Sequence, residues 1–125
     1  MKGVVINPEK DGKSFDRGSV GEKSLRKIKW LIDEELVHSE QFVGGLATFP
    51  PGMAAPPHTH PDAEEINIVL EGEGTFVTPE GAKPVKIGEW QFIPKGVEHS
   101  HRNTGKEPLT IVWVYSPPTK SVPKN

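Results

Sequence analysis

The chain has 125 residues, enough for one compact domain and too few for a second independent core. Its 15 basic and 17 acidic residues give a formal net charge of −2, so it lacks the basic bias that binding to nucleic acid or an anionic membrane requires. With 13 glycines, 13 prolines and no cysteine, the composition indicates a turn-rich β protein without disulfides or thiolate metal ligands. The expected partner is a small-molecule ligand.

The two ends of the chain differ from its middle. Residues 1–20 are interpreted as an N-terminal arm or edge strand, with a short strand at Val4, Val5 and Ile6 that Asn7-Pro8 closes. The apolar run at the start is too short for the core of a signal peptide, and no later stretch approaches a membrane span, so we expect a cytoplasmic protein. Residues 21–116 are predicted to form the folded domain, and residues 117–125 a Pro-rich tail.

The first half of the domain is predicted to contain two strands with an ambiguous segment between them. From Lys23 onward apolar and polar residues alternate through Ile28, Trp30 and Ile32, which predicts a strand. Residues 34–40 are either a loop or a single helical turn, and His38 within them is interpreted as an ordinary exposed histidine. The strand predicted over residues 42–49 contains two glycines, which indicates a tight bend or a close backbone approach.

The second half contains further short strands separated by turn signals. They are predicted at residues 66–70, 75–78, 85–87, 90–93 and 109–115. Turn signals every 8–12 residues or so are typical of a sandwich or barrel, and no convincing amphipathic helix is present. The fold class predicted from these patterns is therefore all-β.

Metal-binding side chains concentrate in one segment that otherwise reads as strand. His58 and His60 are two residues apart, and this spacing places both imidazoles on one face of an extended chain. A carboxylate, Glu64 or Glu65, follows shortly after. Two imidazole nitrogens and a carboxylate oxygen form a ligand set for a divalent metal. A further histidine, His99, follows a Pro-x-Gly turn downstream.

These residues resemble the two motifs of the cupin superfamily, G-x5-H-x-H-x(3,4)-E-x6-G and G-x5-P-x-G-x2-H-x3-N. Every specified position is met, and the first motif selects Glu65 over Glu64 because Glu65 stands six residues before the closing glycine. The matching residues are Gly52, His58, His60, Glu65 and Gly72 in the first motif, and Gly88, Pro94, Gly96, His99 and Asn103 in the second.

The resemblance implies a single-domain jelly-roll β-barrel, the double-stranded β-helix, spanning residues 21–116. It also implies that His58, His60, Glu65 and His99 bind one divalent transition metal in the barrel mouth. Four mixed nitrogen and oxygen donors leave one or two positions open on a five- or six-coordinate ion. Iron or manganese is favoured, with nickel, cobalt, zinc and copper as alternatives.

Strand alternation extends the site and suggests a partner. If Glu65 points inward, Asn67 and Val69 do too, as pocket residues, while Ile66, Ile68 and Leu70 face the other side. That second apolar face needs a cover. In small cupins the cover is often a second subunit, so we expect a homodimer with Trp30 and the arm as contributors; the alternative is an arm that folds back within one chain.

The remaining polar residues have alternative interpretations. His101 shares a face with His99 and is either a proton shuttle near the metal or an exposed strand residue. Glu64 is expected to be solvated, and Asn103 to serve turn structure. Whether four further residues face the pocket is undecided from the sequence: Arg26, Gln91, Trp113 and Tyr115.

Three functions compete. A metal-dependent enzyme would bind a substrate that chelates the ion through two oxygens, and similar cupins include dioxygenases, decarboxylases, lyases and isomerases. A binding or sensor module would chelate the same ligand without converting it. A storage or structural barrel would carry only a vestigial site. The first is the leading hypothesis.

Overall fold

The computed structural model describes residues 2–118, and its regular structure is almost entirely antiparallel β-strand. Over this range nine strands and one short helix follow in chain order: β1 (Lys13–Arg17), β2 (Arg26–Ile32), α1 (Glu34–Val37), β3 (Val43–Phe49), β4 (Glu64–Glu71), β5 (Glu73–Thr78), β6 (Gly81–Lys86), β7 (Trp90–Ile93), β8 (Ser100–Arg102) and β9 (Leu109–Ser116).

The strands form two sheets that enclose one core. The larger sheet has the order β1-β2-β3-β9-β4-β7, and the smaller has the order β6-β5-β8. Isolated bridges from Ala54 to Arg102 and from His58 to His99 connect the segment before β4 to the segment around β8. The all-β jelly-roll barrel expected from the sequence is confirmed.

Alternation along β9 shows how the sequence builds the core. Leu109, Ile111, Trp113 and Tyr115 are buried, while the residues between them from Val112 onward are partly exposed. This period of two places one face of the strand inside the barrel. Core side chains also come from the other strands of both sheets, among them Trp30, Ala47, Phe49, Val69 and Val85.

The two glycines of β3 predict a close backbone approach, and Gly45 is the residue at which neighbouring strands come close. It pairs with Trp30 on one side and with Trp113 on the other. A Cβ at this position would collide with the Lys29 carbonyl oxygen and come within 3.0 Å of the Trp113 ring. The absent side chain lets the two indoles pack edge to face, with ring centroids 5.1 Å apart.

Two expectations about the N-terminal half are wrong. Val4, Val5 and Ile6 form no strand; the edge strand of the sheet is β1, and the chain before it turns at Asn7, whose carbonyl accepts from Lys10 and Asp11. Trp30 is only 2% exposed within a single chain, so it belongs to the core and does not contribute to a subunit contact. The predicted tail extends into residues 119–125, which lie outside the described residues.

The ambiguous segment after β2 is a single helical turn. Asp33 caps it by accepting a hydrogen bond from the Leu36 amide at 2.7 Å, and His38 ends it in the left-handed conformation. His38 is exposed, as expected. Between residues 2 and 118 no helix has the length and apolarity needed to cross a membrane.

The outer side of β4 and β7 carries an apolar surface, here called the outer apolar face. It consists of Ile66, Ile68, Leu70, Trp90 and Phe92. Ile66 pairs with Phe92 and Ile68 with Trp90, so the side chains lie side by side on two adjacent strands. Trp90 is 70% exposed and Phe92 59%.

Candidate metal centre

Two of the candidate ligands are joined through their backbones. The His58 amide donates to the His99 carbonyl at 3.1 Å, and the His99 amide donates to the His58 carbonyl at 3.0 Å. This pair of hydrogen bonds brings residues 41 positions apart into register, and their ring centroids are 4.3 Å apart. The two cupin motifs therefore meet at this bridge.

The expectation that His58 and His60 lie on a regular strand is wrong. His58 makes only the isolated bridge, and His60 lies in the irregular segment just before β4. Prolines at 56, 57 and 61 explain this, because each lacks the amide that a strand ladder needs. The His60 ring nevertheless lies beside that of His58, with centroids 5.1 Å apart.

Glu65 completes the cluster from the inner side of β4. One ligand atom from each of four residues lies within 4.8 Å of every other: His58, His60, Glu65 and His99. Glu65 is 4% exposed and His99 is 2% exposed, so the cluster is set inside the barrel. The adjacent Glu64 is exposed, as expected from its parity.

Backbone carbonyls fix which nitrogen two of the histidines present. Nδ1 of His58 lies 2.9 Å from the Pro56 carbonyl oxygen, and Nδ1 of His99 lies 2.9 Å from the Val97 carbonyl oxygen. Because a carbonyl only accepts, each Nδ1 carries a proton, and Nε2 is the nitrogen left to bind a metal. This outer support is the usual arrangement of metal-binding histidines.

The contact between Glu65 and His99 tests whether a metal fits the site. Oε1 of Glu65 and Nε2 of His99 are 2.8 Å apart, yet neither buried atom has a partner with hydrogen-bond geometry among residues 2–118. Leaving such groups buried and unsatisfied costs about 1–3 kcal/mol each. A divalent metal coordinated by both atoms would remove that cost. The donor set therefore fits a divalent metal.

The protonation states also suit metal binding. Burial lowers the pKa of His58, and burial lowers the pKa of His60 to about 4. Both imidazoles are therefore neutral at pH 7, the form that binds metal. Burial also opposes ionisation of His99 and Glu65, but their mutual attraction outweighs it: the pKa of His99 is raised and that of Glu65 is lowered.

Asn67 holds the Glu65 carboxylate in position. Its Nδ2 donates to Oε2 of Glu65 at 2.7 Å, and Asn67 is 2% exposed. Asn67 also lines the cavity in front of the cluster. Val69 faces the same side of β4 but lies in the hydrophobic core, outside the set of residues that line the cavity.

The cluster opens into a cavity of about 320 Å³, a size suited to a small ligand. Aromatic and aliphatic side chains make up half of the residues in its wall. The lining also contains charged and polar residues from β1, β2, β4, β8 and the segment before β4: Arg17, Arg26, Thr59, Glu65, Asn67 and His101, in addition to the three histidines of the cluster.

The structure shows which of the four residues left undecided by the sequence face the cavity. Arg26, Trp113 and Tyr115 line it, whereas Gln91 lies behind it and contacts His101. Burial, followed by the nearby Glu65 carboxylate, raises the pKa of Tyr115 well above its ordinary value, so its hydroxyl stays protonated. Arg17 also lines the cavity, a position that the sequence analysis missed because it assigned residue 17 to the arm.

His101 is buried in the cavity wall rather than exposed. Nε2 of Gln91 donates to the Glu89 carbonyl, so its Oε1 accepts from Nε2 of His101 at 2.8 Å. The proton of His101 is thus on Nε2. Burial lowers the pKa of His101 to about 4, which makes it neutral at pH 7.

Asn103 serves the turn structure expected for it. Its Nδ2 donates to the carbonyls of Phe49 and Glu107 at 2.8 Å each, and its Oδ1 accepts from the Gly105 amide at 2.9 Å. These bonds tie the loop before β9 to the end of β3. The side chain contributes to the loop and not to the cavity wall.

The fold and the site together place this protein in the class of small antiparallel barrels that carry a candidate metal centre in the barrel mouth. The chain belongs to the cupin family, because the family profile described as "Cupin domain" matches residues 45–115. That match covers more than half of the chain and both halves of the metal centre.

Curated relatives differ in how much of their length this chain covers. The chain is 40% identical over 82 residues to germin-like protein subfamily 2 member 2 of Arabidopsis thaliana and spans 37% of that protein. It is 33% identical over 100 residues to a gentisate 1,2-dioxygenase of a Ralstonia species and spans 27% of it. It is 31% identical over 114 residues to an oxalate-binding protein of Thermotoga maritima, covering 91% of this chain and 90% of that protein.

A solved structure extends the likeness over nearly the whole fold. The crystal structure of a Thermotoga maritima protein described as a predicted oxalate decarboxylase superposes with a TM-score of 0.79 at 23% identity. The superposition covers 92% of this chain and 100% of that one. At this identity the match establishes the shared fold.

Proposed function

We propose that this chain is a mononuclear metal-dependent enzyme acting on a small substrate that chelates the ion through two oxygens. The observation that carries the proposal is the position of the four-donor cluster, which lies in the wall of a cavity of about 320 Å³. Reactions of the dioxygenase, decarboxylase, lyase and isomerase types fit such a site. Iron or manganese is the favoured ion, with nickel, cobalt, zinc and copper as alternatives.

The chain's own residues have separate tasks in this proposal. His58, His60, Glu65 and His99 hold the ion, which when bound supplies Lewis acidity or a site for oxygen chemistry. Asn67 keeps the Glu65 carboxylate oriented. His101, held by Gln91, presents a neutral imidazole at the wall and is proposed as the proton shuttle.

The alternative function is a non-catalytic binding or sensor protein that holds the same type of ligand. One comparison favours it specifically: a relative that this chain matches over most of both lengths is described as an oxalate-binding protein. The metal centre and cavity would be the same in both cases. Turnover separates the two functions.

The test begins with metal content and continues with turnover. Purified protein is analysed for metal by mass spectrometry, and a panel of hydroxy acids, diketones, diols and dicarboxylates is assayed for conversion, oxygen uptake and CO₂ release. His99→Ala should lose the metal. His38→Asn is the matched control, since it removes an exposed histidine and asparagine tolerates the left-handed conformation at φ 57°. A metal-loaded protein that binds ligands of the panel but converts none would refute the enzyme and support the alternative.

We also propose that the chain forms a homodimer through the outer apolar face. Large exposed apolar surfaces mark interaction sites, and β7 is an edge strand whose four residues include no charge to prevent pairing. A second copy offers the same uncharged surface, which suits a two-fold contact. The arm of the same chain is a poor cover, because β1 and β7 lie at opposite edges of the sheet.

A further inference from the structure

The orientation of the Gln91 side chain is fixed by the two groups that it contacts. Gln91 lies on the inner side of β7 and is 7% exposed. Its Nε2 lies 3.0 Å from the Glu89 carbonyl oxygen, and its Oε1 lies 2.8 Å from Nε2 of His101. The reversed amide would set two oxygens against each other, because a backbone carbonyl only accepts. The amide oxygen of Gln91 therefore faces His101 and accepts its hydrogen.

The turn that carries Glu89 is anchored at several points. The Glu89 amide donates to the Lys86 carbonyl at 3.1 Å, and Oε1 of Glu89 accepts from the Lys86 amide at 2.8 Å. The Glu89 carbonyl also accepts from the Val69 amide of β4 at 3.1 Å. Because these bonds hold the carbonyl in place, the Gln91 amide cannot exchange its nitrogen and oxygen without losing a hydrogen bond.

One ring nitrogen of His101 is thus used within the wall, and the other remains for the cavity. His101 is 6% exposed and lines the cavity. Within residues 2–118 its Nδ1 makes no hydrogen bond, and the fully buried polar side-chain atoms that lack a partner belong to other residues. Nδ1 therefore keeps access to the cavity. A neutral imidazole with its hydrogen on Nε2 has a lone pair on Nδ1, so the atom presented to a ligand is a hydrogen-bond acceptor.

A hydrogen-bond acceptor is a scarce group on this wall. Arg26 can only donate, Oδ1 of Asn67 is fully buried, and Glu65 belongs to the metal cluster. His101 follows His99 by two residues, a separation of about 6–7 Å along an extended chain. A ligand of a few atoms that binds at the metal cluster is therefore long enough to reach Nδ1 of His101.

We propose that Gln91 makes the site selective for ligands with a hydroxyl group, by holding His101 in the form whose cavity-side nitrogen accepts a hydrogen bond. The favoured substrate is then a hydroxy acid rather than the matching oxo acid, because an oxo group has no hydrogen to donate. The metal-binding end of this ligand rests on the proposed function, whereas the selectivity rests on the contact between Gln91 and His101. Gln91 lies behind the wall and acts through His101, so it is a positioning residue.

The first experiment locates the hydrogen on the His101 ring. The nitrogen chemical shifts of the ring are measured at pH 7 by nuclear magnetic resonance on the full chain, without metal and again with zinc bound. The hydrogen should be on Nε2 in both samples. A hydrogen on Nδ1, or a ring with both nitrogens protonated, would overturn the proposal without the need for any variant.

The variant Gln91→Met tests whether Gln91 sets this form of the ring. Methionine is similar in length and lacks a strong acceptor, so a hydrogen on Nε2 would be left buried without a partner. The hydrogen should therefore move largely to Nδ1, where solvent in the cavity can accept it. Gln41→Met is the matched control, since it makes the same substitution at an exposed glutamine and should leave the ring unchanged. A His101 ring in Gln91→Met identical to that of the unchanged protein would refute the role of Gln91.

The second experiment measures selectivity by calorimetry on the metal-loaded protein. Lactate is compared with pyruvate, which replaces the hydroxyl by an oxo group and keeps the carboxylate. Gln91→Met should lower the preference for lactate over pyruvate about tenfold, a change of about 1.4 kcal/mol, and pyruvate itself should bind more tightly because Nδ1 can then donate to it. A loss of packing alone would weaken both ligands. His101→Phe should also lower the preference, without the gain for pyruvate, and Gln41→Met should keep it.

The outcomes separate this proposal from the enzyme proposal. If no substrate is converted while the hydrogen on Nε2 and the shift in preference are both found, the enzyme proposal fails and the selectivity stands. If a substrate is converted but Gln91→Met and His101→Phe prefer lactate as the unchanged protein does, the selectivity fails alone.

Discussion

Replacing Asn67 by leucine should weaken metal binding without removing any ligand. The Asn67 amide donates to the Glu65 carboxylate at 2.7 Å, and both residues are at most 4% exposed. A hydrogen bond to a charged group contributes about 1.5–3 kcal/mol, and loss of such outer support typically lowers metal affinity by about 10–100-fold. Leucine has the same number of side-chain heavy atoms and the same branching as asparagine, so the substitution removes the hydrogen bond without creating a cavity.

The assay is a competition between the protein and a chelator of known affinity. Metal occupancy is followed as the chelator concentration rises, for the unchanged protein, Asn67→Leu and Val69→Ala. Val69 is the control because it lies on the same face of β4, is 1% exposed, and makes its contacts in the hydrophobic core. Val69→Ala should lower stability and leave metal affinity within about twofold. An Asn67→Leu protein with unchanged metal affinity would refute the view that Asn67 positions Glu65.

Three further predictions concern the scaffold. Trp30→Ala should destabilise the monomer by about 3–5 kcal/mol in denaturant unfolding, because it empties a buried site packed against Trp113; a loss of dimer without loss of stability would contradict this. Asn103→Ala should also destabilise, by about 1–3 kcal/mol for each buried carbonyl left unsatisfied, with metal affinity in the folded protein kept; unchanged unfolding would refute its role in the loop. Trp90→Glu should convert a dimer into a monomer in sedimentation, whereas Val20→Glu, at a site 64% exposed and off the outer apolar face, should not; a Trp90→Glu dimer of unchanged strength would exclude this face.

Alternation made the strands of the domain predictable. A period of two in hydrophobicity shows which side chains of one strand share a face. It correctly indicated the inward side of β4 and the strand character of β2 and β9. It does not give the depth of a side chain along the barrel. Asn67 and Val69 share a side, but only the partners of each strand determine that one reaches the cavity and the other the core.

Register was the information that the sequence did not contain. Residues 13–17, KSFDR, have weak strand character, so β1 was missed and the apolar run at Val4 was chosen instead. Once β1 is paired with β2, Arg17 meets Arg26 across the sheet, so two residues that looked unrelated line the same cavity. The H-x-H segment was misread for the opposite reason, since its prolines exclude a ladder that its histidine spacing suggests.

The paired amide bonds between His58 and His99 make the metal centre sensitive to opening of the backbone. Neither amide can exchange its hydrogen with solvent unless the segments that carry the two histidines separate. Hydrogen exchange at these two amides therefore measures how often the centre comes apart. Bound metal would join the same segments through their side chains and slow that exchange, and a substitution far from every ligand that speeds it would shorten the residence time of the ion.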